Sequence, residues 1–280
     1  MSAVAVRFRD RSFERNKKTL VMGILNVTPD SFSGDGRLAV REAVQRAEAQ
    51  HDAGADTIDI GGESTRPGHA PVAVAEELER VLPVVRAVRE RYPDWPISID
   101  TYKPEVARAA LAAGADCVNS IWGASDEMLD LTLESGASIA IMHNREQLFD
   151  GDIVEEVLRA LLADAVRAQQ RGIPADRIML DPGIGFGKTP EQNVTLLAHL
   201  ERLVALGFPT LLGTSRKSTL GMLAGRSRPE EPIFATAATT ALAVSAGIDI
   251  VRVHDVAATR DVVAVSDAIV RGWRPTTWIA

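Results

Sequence analysis

The feature that most constrains the fold is a regular alternation of short apolar runs with longer segments of helical periodicity. Each apolar run is followed by a segment whose apolar side chains recur every three or four positions. We count eight such pairs. The predicted strands span residues 19–26, 55–62, 96–100, 116–121, 137–143, 177–183, 209–215 and 249–255. The predicted helices span residues 39–52, 75–91, 103–113, 126–135, 153–171, 191–205, 217–225 with 232–246, and 257–271.

Several predicted helices end in a related phrase that leads directly into the next strand. The phrase reads AGAD at 53–56 and at 113–116, SGAS at 135–138 and AGID at 246–249. Its glycine can adopt the left-handed conformation that closes a helix, and the small neighbours allow a tight turn. Runs that are apolar on both faces, such as VMGIL and IMLDP, are typical of parallel strands covered by helices.

Eight such units predict an α/β fold, a closed (β/α)8 TIM barrel, with an open doubly wound sheet as the alternative. The length of 280 residues suits this prediction, because α/β barrels of ~250 residues form a single domain. We therefore expect one domain over residues 1–280. The segments VAVRFRD and SFER, which precede the first barrel strand, predict a short N-terminal β-hairpin that covers the bottom of the barrel.

Charge and cysteine usage exclude several classes of function. The formal net charge of −7, without long runs of like charge, argues against nucleic acid or an anionic membrane surface as the main partner. No stretch has the length and apolarity of a signal-peptide core or a membrane span. The single cysteine, Cys117, fits a reducing cytoplasm and is expected to pack as a small buried hydrophobe. We expect a cytoplasmic protein in which a local basic cluster binds any anionic ligand.

Polar residues stand at the ends of the predicted strands, where the active sites of (β/α)8 barrels lie. Asp100 and Asp181 each follow an apolar run, and Asn119 lies inside one. An Asp in such a place is often only a helix cap or a turn former, whereas a mid-strand amide facing a barrel interior requires hydrogen-bond partners. Two carboxylates and an amide suit a flat heteroaromatic ring with N–H donors, and Lys217 can donate to a ring nitrogen or carbonyl.

A second group of polar residues suits a phosphate or diphosphate. Arg252 and His254 are two positions apart on a predicted strand and therefore share one face, and with Asn26 they form a partly cationic rim. His254 can alternatively be an ordinary interior histidine. Mg²⁺ requires few protein ligands, so a diphosphate and an Asn or Asp oxygen can hold it. Zinc-binding, phosphate-loop and Ser-His-Asp signatures are absent from the sequence.

Six segments, in order along the chain, resemble the signature segments of the dihydropteroate synthase family. They are NVTPDSFS at 26–33, DIGGESTRPG at 59–68, SIDT at 98–101, DPGIGFGK at 181–188, GTSRKS at 213–218 and RVH at 252–254. NVTPDSFS together with GGESTRPG is highly specific for the family. The resemblance implies a TIM-barrel transferase of folate biosynthesis. Such an enzyme joins 6-hydroxymethyl-7,8-dihydropterin diphosphate to 4-aminobenzoate, giving 7,8-dihydropteroate and diphosphate.

The resemblance also implies roles for individual residues. The pterin diphosphate would contact Thr65, Asp100, Asn119, Asp181, Lys217, Arg252 and His254. Five of these would be catalytic, namely Asp100, Asp181, Lys217, Arg252 and His254, and Asn26 would hold Mg²⁺ beside the diphosphate. The 4-aminobenzoate, and the sulfonamides that compete with it, would contact Thr65, Arg66, Pro67, Phe186, Ser215 and Lys217. The family further implies a homodimer formed through the outer helices of the C-terminal half.

The mechanism that the family implies is dissociative. The C–O bond to diphosphate breaks first, and the arylamine then attacks the resulting pterin-methyl cation. Asp100 and Asp181 would stabilise this cation more than the neutral substrate, which lowers the barrier. Two other functions remain open: a non-catalytic pterin-binding paralogue, and a pterin-barrel methyltransferase that passes a methyl group to a corrinoid. The complete set of residues for the arylamine site favours the synthase.

The sequence departs from the family pattern at three places. The Asp-Gly-Gly that usually follows NVTPDSFS is replaced by SGDGR at 33–37, which can weaken closure of that loop. Ser120 stands in place of an Asp and Trp122 in place of a small residue, while His143 is followed by Asn-Arg-Glu. These last changes can reshape the floor of the pterin site.

Overall fold

The computed structural model describes residues 5–28, 36–63, 71–225 and 233–275. Within these residues the predicted apolar runs form one sheet of eight parallel strands. The strands are β3 Leu20–Asn26, β4 Thr57–Gly61, β5 Ile97–Asp100, β6 Cys117–Ser120, β7 Ser138–Met142, β8 Ile178–Asp181, β9 Leu211–Leu212 and β10 Ile250–Val253. Their order in the sheet is β8-β7-β6-β5-β4-β3-β10-β9. The sheet curves into a nearly closed barrel, in which the N–H of Leu180 in β8 donates to the carbonyl of Pro209 (2.9 Å) beside β9. The predicted TIM barrel is confirmed, and the open doubly wound alternative is wrong.

The predicted N-terminal hairpin is also confirmed. It consists of β1 Ala5–Phe8 and β2 Arg11–Glu14, which pair antiparallel. Val6 and Phe8 are buried in an apolar cluster with inward-facing side chains of the barrel, among them Leu20 and Met22. Cys117 is fully buried in the same cluster, as predicted. The hairpin therefore lies against the bottom of the barrel, at the end opposite the carboxyl ends of the strands.

The helices between the strands pack their apolar faces against the outside of the barrel. They are α1 Gly36–Asp52, α2 Val74–Arg91, α3 Pro104–Ala112, α4 Asp126–Ser135, α5 Ile153–Gln170, α6 Pro190–Leu197, α7 Leu200–Val204, α8 Ser218–Leu223, α9 Ile233–Ala246 and α10 Val256–Val270. The predicted helix 191–205 is divided into α6 and α7, because His199 leaves the helical region (φ −129°, ψ 31°). Its ring Nδ1 contacts the carbonyl oxygen of Thr195 at 2.8 Å.

Among the described helices, none combines the length and apolar character that crossing a membrane requires.

The recurring phrase at the helix ends has two structural roles. Its glycines close the helices with positive φ, for example 89° at Gly54 and 117° at Gly114. The aspartate that ends the phrase accepts a backbone N–H from the neighbouring strand: Asp56 from Val21, Asp116 from Ile97 and Asp249 from Thr210, each at 2.9 Å. Each of these carboxylates also pairs with at least one Lys or Arg. The bottom of the barrel is thus fixed by buried charges, which leaves the opposite end for ligands.

Candidate active site

The polar residues predicted at the strand ends lie at the carboxyl end of the barrel. Asp100 is the last residue of β5 and Asp181 the last of β8, while Asn119 lies within β6. All three side chains are buried. Asn26 ends β3 and is partly exposed at the same end. Parallel strands bring their carboxyl ends together, so side chains far apart in the sequence line one pocket.

A buried network of charged and polar side chains connects four strands, β4, β5, β6 and β10. The guanidinium of Arg252 donates from Nε to Asp59 Oδ2 (2.6 Å) and from Nη2 to Asp100 Oδ2 (2.7 Å). The amide Nδ2 of Asn119 donates to the same Asp59 oxygen at 2.9 Å. One arginine therefore lies between two carboxylates inside the barrel. Its predicted contact with a diphosphate stays a prediction.

Asp59 is the residue of this network that we did not single out as a site residue in the sequence. It lies in the middle of β4, with apolar Ile58 and Ile60 on either side, and is fully buried. A signal was available, because a mid-strand carboxylate facing a barrel interior requires partners just as the amide of Asn119 does. By accepting from Nδ2, Asp59 leaves the carbonyl oxygen of Asn119 as the group available to other donors.

Burial sets the proton affinity of the two strand-end carboxyl groups. It raises the pKa of Asp100 to about 7, against the opposing charge of Arg252 and with the added repulsion of Asp59. Burial likewise raises the pKa of Asp181 to about 6, opposed by the N–H of Gly183 and the charge of Lys217. Asp100 Oδ1 is buried without a hydrogen-bond partner among the described residues. Both carboxyl groups would gain from a ligand that brings N–H donors or positive charge.

Lys217 and Phe186 meet at the mouth of this pocket. The ammonium Nζ lies 3.8 Å from the centroid of the Phe186 ring, a cation–π contact between the turn after β9 and the turn after β8. Gly185 allows the close approach, since a Cβ there would be 3.1 Å from Lys217 Cδ. A flat substrate can thus meet an aromatic face and a cation at one place.

Ser215 and His254 are joined at the same mouth. Ser215 Oγ lies 3.0 Å from His254 Nδ1 and accepts the backbone N–H of His254 at 3.2 Å. The next residues are paired too, with Arg216 donating to Asp255 at 3.0 Å. The turn after β9 is therefore fastened to the end of β10, which fixes the position of the Lys217 backbone.

Several residues predicted for the site lie outside the described part of the chain. These are Thr65, Arg66 and Pro67, together with most of the atypical SGDGR segment, whose residues 33–35 are not described.

The remaining departures from the family pattern lie within the described residues. Ser120 is buried, and its hydroxyl donates to the carbonyl of Gly123 at 2.5 Å, so it holds the turn after β6. Trp122, in that turn, is 49% exposed. Burial lowers the pKa of His143 to about 4, so this imidazole is neutral at pH 7. Ser120 thus has a local structural role in place of a charge.

The described residues contain no group of three or more His, Cys, Asp and Glu side chains arranged to hold a metal ion. Asn26 offers a hard amide oxygen at the partly exposed end of β3. This donor set fits Mg²⁺, which commonly takes one or two protein ligands and completes its shell with phosphate oxygens and water. It does not fit a metal that needs a full set of protein ligands.

Comparison with known proteins gives consistent matches over most of the chain. The family model described as pterin binding enzyme matches residues 22–254. A dihydropteroate synthase from Synechocystis sp. is 46% identical over 272 residues, which cover 94% of this chain and 93% of that protein.

Solved structures of dihydropteroate synthases share the fold, among them two of one enzyme. The dihydropteroate synthase of Xanthomonas albilineans with 4-aminobenzoic acid superposes with a TM-score of 0.90 at 42% identity, covering 96% of this chain and 98% of that one. The same enzyme in complex with 7,8-dihydropteroate gives a TM-score of 0.85 at 39% identity, with 95% and 98% covered.

Proposed function

The chain belongs to the dihydropteroate synthase family of pterin-binding enzymes, and on that premise we propose that it joins 6-hydroxymethyl-7,8-dihydropterin diphosphate to 4-aminobenzoate. The products are 7,8-dihydropteroate and diphosphate, which makes the protein a transferase of folate biosynthesis. The observation that carries this proposal is the pocket itself. Two buried carboxyl groups of raised pKa, Asp100 and Asp181, lie below a mouth formed by Lys217 and Phe186.

The floor of the pocket suits the pterin ring. The unpartnered Oδ1 of Asp100 can accept a ring N–H, and Asp181 can accept from the exocyclic amine. Asn119 presents its carbonyl oxygen because Asp59 holds its NH₂ group. Lys217 donates to a ring acceptor from the mouth side. Each polar edge of the heterocycle then meets a protein group of the opposite kind.

The same groups favour a dissociative reaction. As the C–O bond to diphosphate breaks, positive charge develops on the pterin-methyl group, and the electron pair leaves with the diphosphate. Asp100 and Asp181 interact more strongly with this cation than with the neutral ring, so they stabilise the transition state more than the ground state. The amine nitrogen of 4-aminobenzoate then forms the new C–N bond and loses a proton.

Diphosphate binding is assigned to the rim of the barrel. Asn26 would hold Mg²⁺ there together with the diphosphate oxygens, and the bound metal supplies compensation for the charge of the leaving group. His254 lies at this end of the barrel, and Ser215 orients its ring. Arg252 contributes positive charge from below, held between Asp59 and Asp100.

The arylamine is placed against Phe186, Ser215 and Lys217. The aromatic face of Phe186 and the ammonium of Lys217 supply stacking and charge, while Ser215 supplies a hydroxyl near the mouth. Thr65, Arg66 and Pro67 complete this site in the proposal. Sulfonamides, which mimic 4-aminobenzoate, would compete for the same surface.

The proposal includes a homodimer located in the cytoplasm. Apolar side chains on α8, α9 and α10 are exposed, including Met222 (64%), Phe234 (85%) and Ile269 (78%). Clusters of exposed apolar side chains commonly mark protein interfaces. The single cysteine is buried and unpaired, which is compatible with a reducing compartment.

The decisive experiment measures diphosphate release from the pterin diphosphate in the presence of Mg²⁺, with and without 4-aminobenzoate. We expect release that depends on the arylamine and a product with the mass of dihydropteroate. Pterin binding without condensation would overturn the proposal and favour a non-catalytic pterin-binding paralogue. Methyl transfer from a folate to a corrinoid, tested in parallel, would overturn it in favour of the methyltransferase.

A further inference from the structure

Lys188 is a buried lysine at the end of the turn after β8. The residue is 9% exposed. The ammonium donates to three backbone carbonyls: those of His143 (3.1 Å), Gly183 (3.0 Å) and Phe186 (2.9 Å). Within the described part of the chain, all its hydrogen bonds go to backbone oxygens. The three N–H donors of one ammonium are therefore matched by three acceptors.

These carbonyls belong to two different connections between strands and helices. His143 follows β7, whereas Gly183 and Phe186 belong to the turn after β8, residues 182–188. The two segments are in close backbone contact, since a Cβ on Gly183 would lie 2.0 Å from the His143 oxygen. Gly183 and Gly187 take positive φ values of 68° and 57°. The contact requires glycine at these positions, and it turns the carbonyls toward a common point.

Burial of a lysine ammonium among neutral carbonyl groups carries a desolvation cost. Burial of the ammonium lowers the pKa of Lys188 to about 7, while the charge of Asp181 opposes that shift. Nearby Lys217 and Arg145 add repulsion. A buried cation is normally paired with a carboxylate, yet here it is used to hold a backbone turn. The turn that it holds carries Phe186.

Two further hydrogen bonds fix the same turn, which carries Phe186. The N–H of Gly183 donates to Asp181 Oδ1 (2.7 Å), and the N–H of Gly185 donates to Asn193 Oδ1 (2.8 Å). The amide of Asn193 in turn donates to Thr219 in α8 at 3.0 Å. Phe186 is thereby held facing Lys217, whose ammonium lies over its ring. Of these supports, Lys188 alone binds the carbonyl of Phe186 itself.

We propose that Lys188 is a positioning residue for the arylamine site: its ammonium holds the turn 182–188 so that Phe186 faces Lys217, and it thereby sets the affinity for the arylamine. This role rests on the proposed function, because it concerns the surface assigned there to 4-aminobenzoate. Lys188 acts through Phe186 and does not itself touch the substrate. Asp181 of the pterin pocket also contacts this turn, through the N–H of Gly183. Asp100 and Asn119 lie on other strands, so pterin binding depends on Lys188 less than arylamine binding does.

The test is a split between the two substrates in the variant Lys188→Met, which keeps the length of the side chain and removes its donors. We expect the KM for 4-aminobenzoate to rise about 10–100-fold, as misplacement of a positioned group does. Pterin binding, measured by calorimetry, should weaken much less than this, because only Asp181 of the pterin pocket contacts the turn. An unchanged KM for 4-aminobenzoate, or an equal loss of affinity for both substrates, would overturn the assignment.

A matched control separates positioning from general stability. Arg15→Met removes another buried cation, which binds Asp249 and the carbonyl of Gly207 at the bottom of the barrel. It should lower the thermal midpoint without splitting the two affinities. If Lys188→Met does not accumulate as folded protein, Lys188→Gln replaces it in the test. The amide retains two N–H donors, so the KM for 4-aminobenzoate should again rise more than pterin affinity falls, but by a smaller factor.

A double-mutant cycle tests the route through Phe186. In a Phe186→Leu background, Lys188→Met should add no more than about twofold to the KM for 4-aminobenzoate, because both changes remove the same contact. If the two substitutions raised the KM independently, so that their effects were fully additive in free energy, Lys188 would not act through Phe186. Wild-type protein that forms no dihydropteroate would refute the proposed function. Wild-type turnover with an unchanged arylamine KM in Lys188→Met would refute the role of Lys188 alone.

Discussion

The two carboxyl groups proposed to bind the pterin differ in what counteracts the effect of burial on their pKa values. Asp100 faces the full charge of Arg252, whereas Asp181 is stabilised by an N–H of its own turn and the charge of Lys217. Both pKa values nevertheless lie far above the ordinary value of 3.8, at about 7 and about 6. As the pH decreases through about 7 and about 6, the two carboxyl groups take up protons and lose their negative charge. This range is one in which enzymes are commonly assayed.

The first prediction at this scale is an acidic limb in the pH profile. Only the ionised carboxylates accept two hydrogen bonds and stabilise a cation, so kcat/KM for the pterin diphosphate should fall as the pH decreases through about 7 and about 6. Calorimetric binding of a pterin without the diphosphate should show the same limb, which excludes titration of the diphosphate as the cause. A flat profile from about pH 8 to about pH 5 would contradict the prediction.

Asp181→Asn should separate activity from stability. The folded-state pKa of about 6 lies above the ordinary 3.8. Ionisation of Asp181 therefore costs stability, a cost that grows between these two pH values and is complete above about 6, and the amide removes it. We expect turnover to be abolished while the thermal midpoint at pH 7.5 equals or exceeds that of wild type. The difference in midpoint should shrink as the pH decreases below about 6. A lower midpoint at all pH values would contradict the interpretation.

Lys217→Ala should abolish turnover without unfolding the barrel. The change removes one donor and one cation from the mouth, and loss of such a transition-state contact costs about 10²–10³-fold in kcat. Circular dichroism should be unchanged, because the Lys217 ammonium contacts the Phe186 ring at the mouth of the barrel and not its core. A near-normal rate would exclude Lys217 from the role assigned to it.

At the residue scale, the sequence allowed only part of the candidate site to be predicted. Asp100, Asn119 and Asp181 were predictable because polar side chains interrupt or end apolar runs. Asp59 gave the same kind of signal, but its importance depends on Arg252, 193 positions away in the chain. Lys188 gave none, since a lysine after a glycine-rich turn is usually exposed, and only the folded backbone reveals three carbonyls around it.

At the scale of the elements, the aspartates that precede the strands join neighbouring elements by hydrogen bonds and ion pairs, and each such set of contacts is called a joint. Asp116 binds Arg89 and Arg11 and accepts the N–H of Ile97 at 2.9 Å. It thus links β5 and β6 to the hairpin and to α2. Because Asp56 and Asp249 are bound in comparable ways, the phrase repeated in the sequence corresponds to a repeated joint in the structure.

Asp116→Ala should lower the free energy of unfolding by about 3 kcal/mol, because it removes a buried carboxylate from two arginines and leaves the N–H of Ile97 without its side-chain acceptor. The KM for either substrate should not change, since the joint lies at the bottom of the barrel. Urea unfolding measures the loss. Asp126→Ala is the matched control: its side chain is 64% exposed and pairs with Arg167 and Arg171, so it should cost less than about 1 kcal/mol.

The sequence predicted every barrel strand to within a few residues, because a buried strand is both apolar and short. Its limits are seen in β9, which has two residues where a run of seven was predicted. Polar residues of that run, such as Ser215, belong instead to the turn that carries the site. Division of the helix 191–205 was equally hidden, since no Gly or Pro marks the break at His199.

At the scale of the whole molecule, the two ends of the barrel have different tasks. The bottom is covered by the hairpin and fixed by ion pairs, whereas the carboxyl end collects the titratable groups of the site. The eightfold alternation was enough to predict this architecture. Closure of the sheet between β8 and β9 depends on long-range pairing, which no local pattern contains.

The exposed apolar side chains of α9 and α10 lead to a prediction about assembly. Phe234→Glu combined with Ile269→Glu places charges where these side chains are 85% and 78% exposed. We expect the wild type to scatter light as a dimer and the double variant as a monomer. Leu162→Glu, on α5 and 39% exposed, should leave the mass unchanged. A wild-type monomer at low concentration would remove the dimer from the proposal.

The placement of the tryptophans gives the molecule optical probes at both of its ends. Trp122 is half-exposed in the turn after β6, at the mouth, while Trp95 is 6% exposed near the bottom and donates its indole N–H to Ala55. Fluorescence from Trp122 is therefore open to quenching by a bound pterin, and that from Trp95 follows unfolding of the barrel. The sequence has four tryptophans, so comparison with a Trp122→Phe variant identifies the part of the emission that reports ligand binding, without any attached dye.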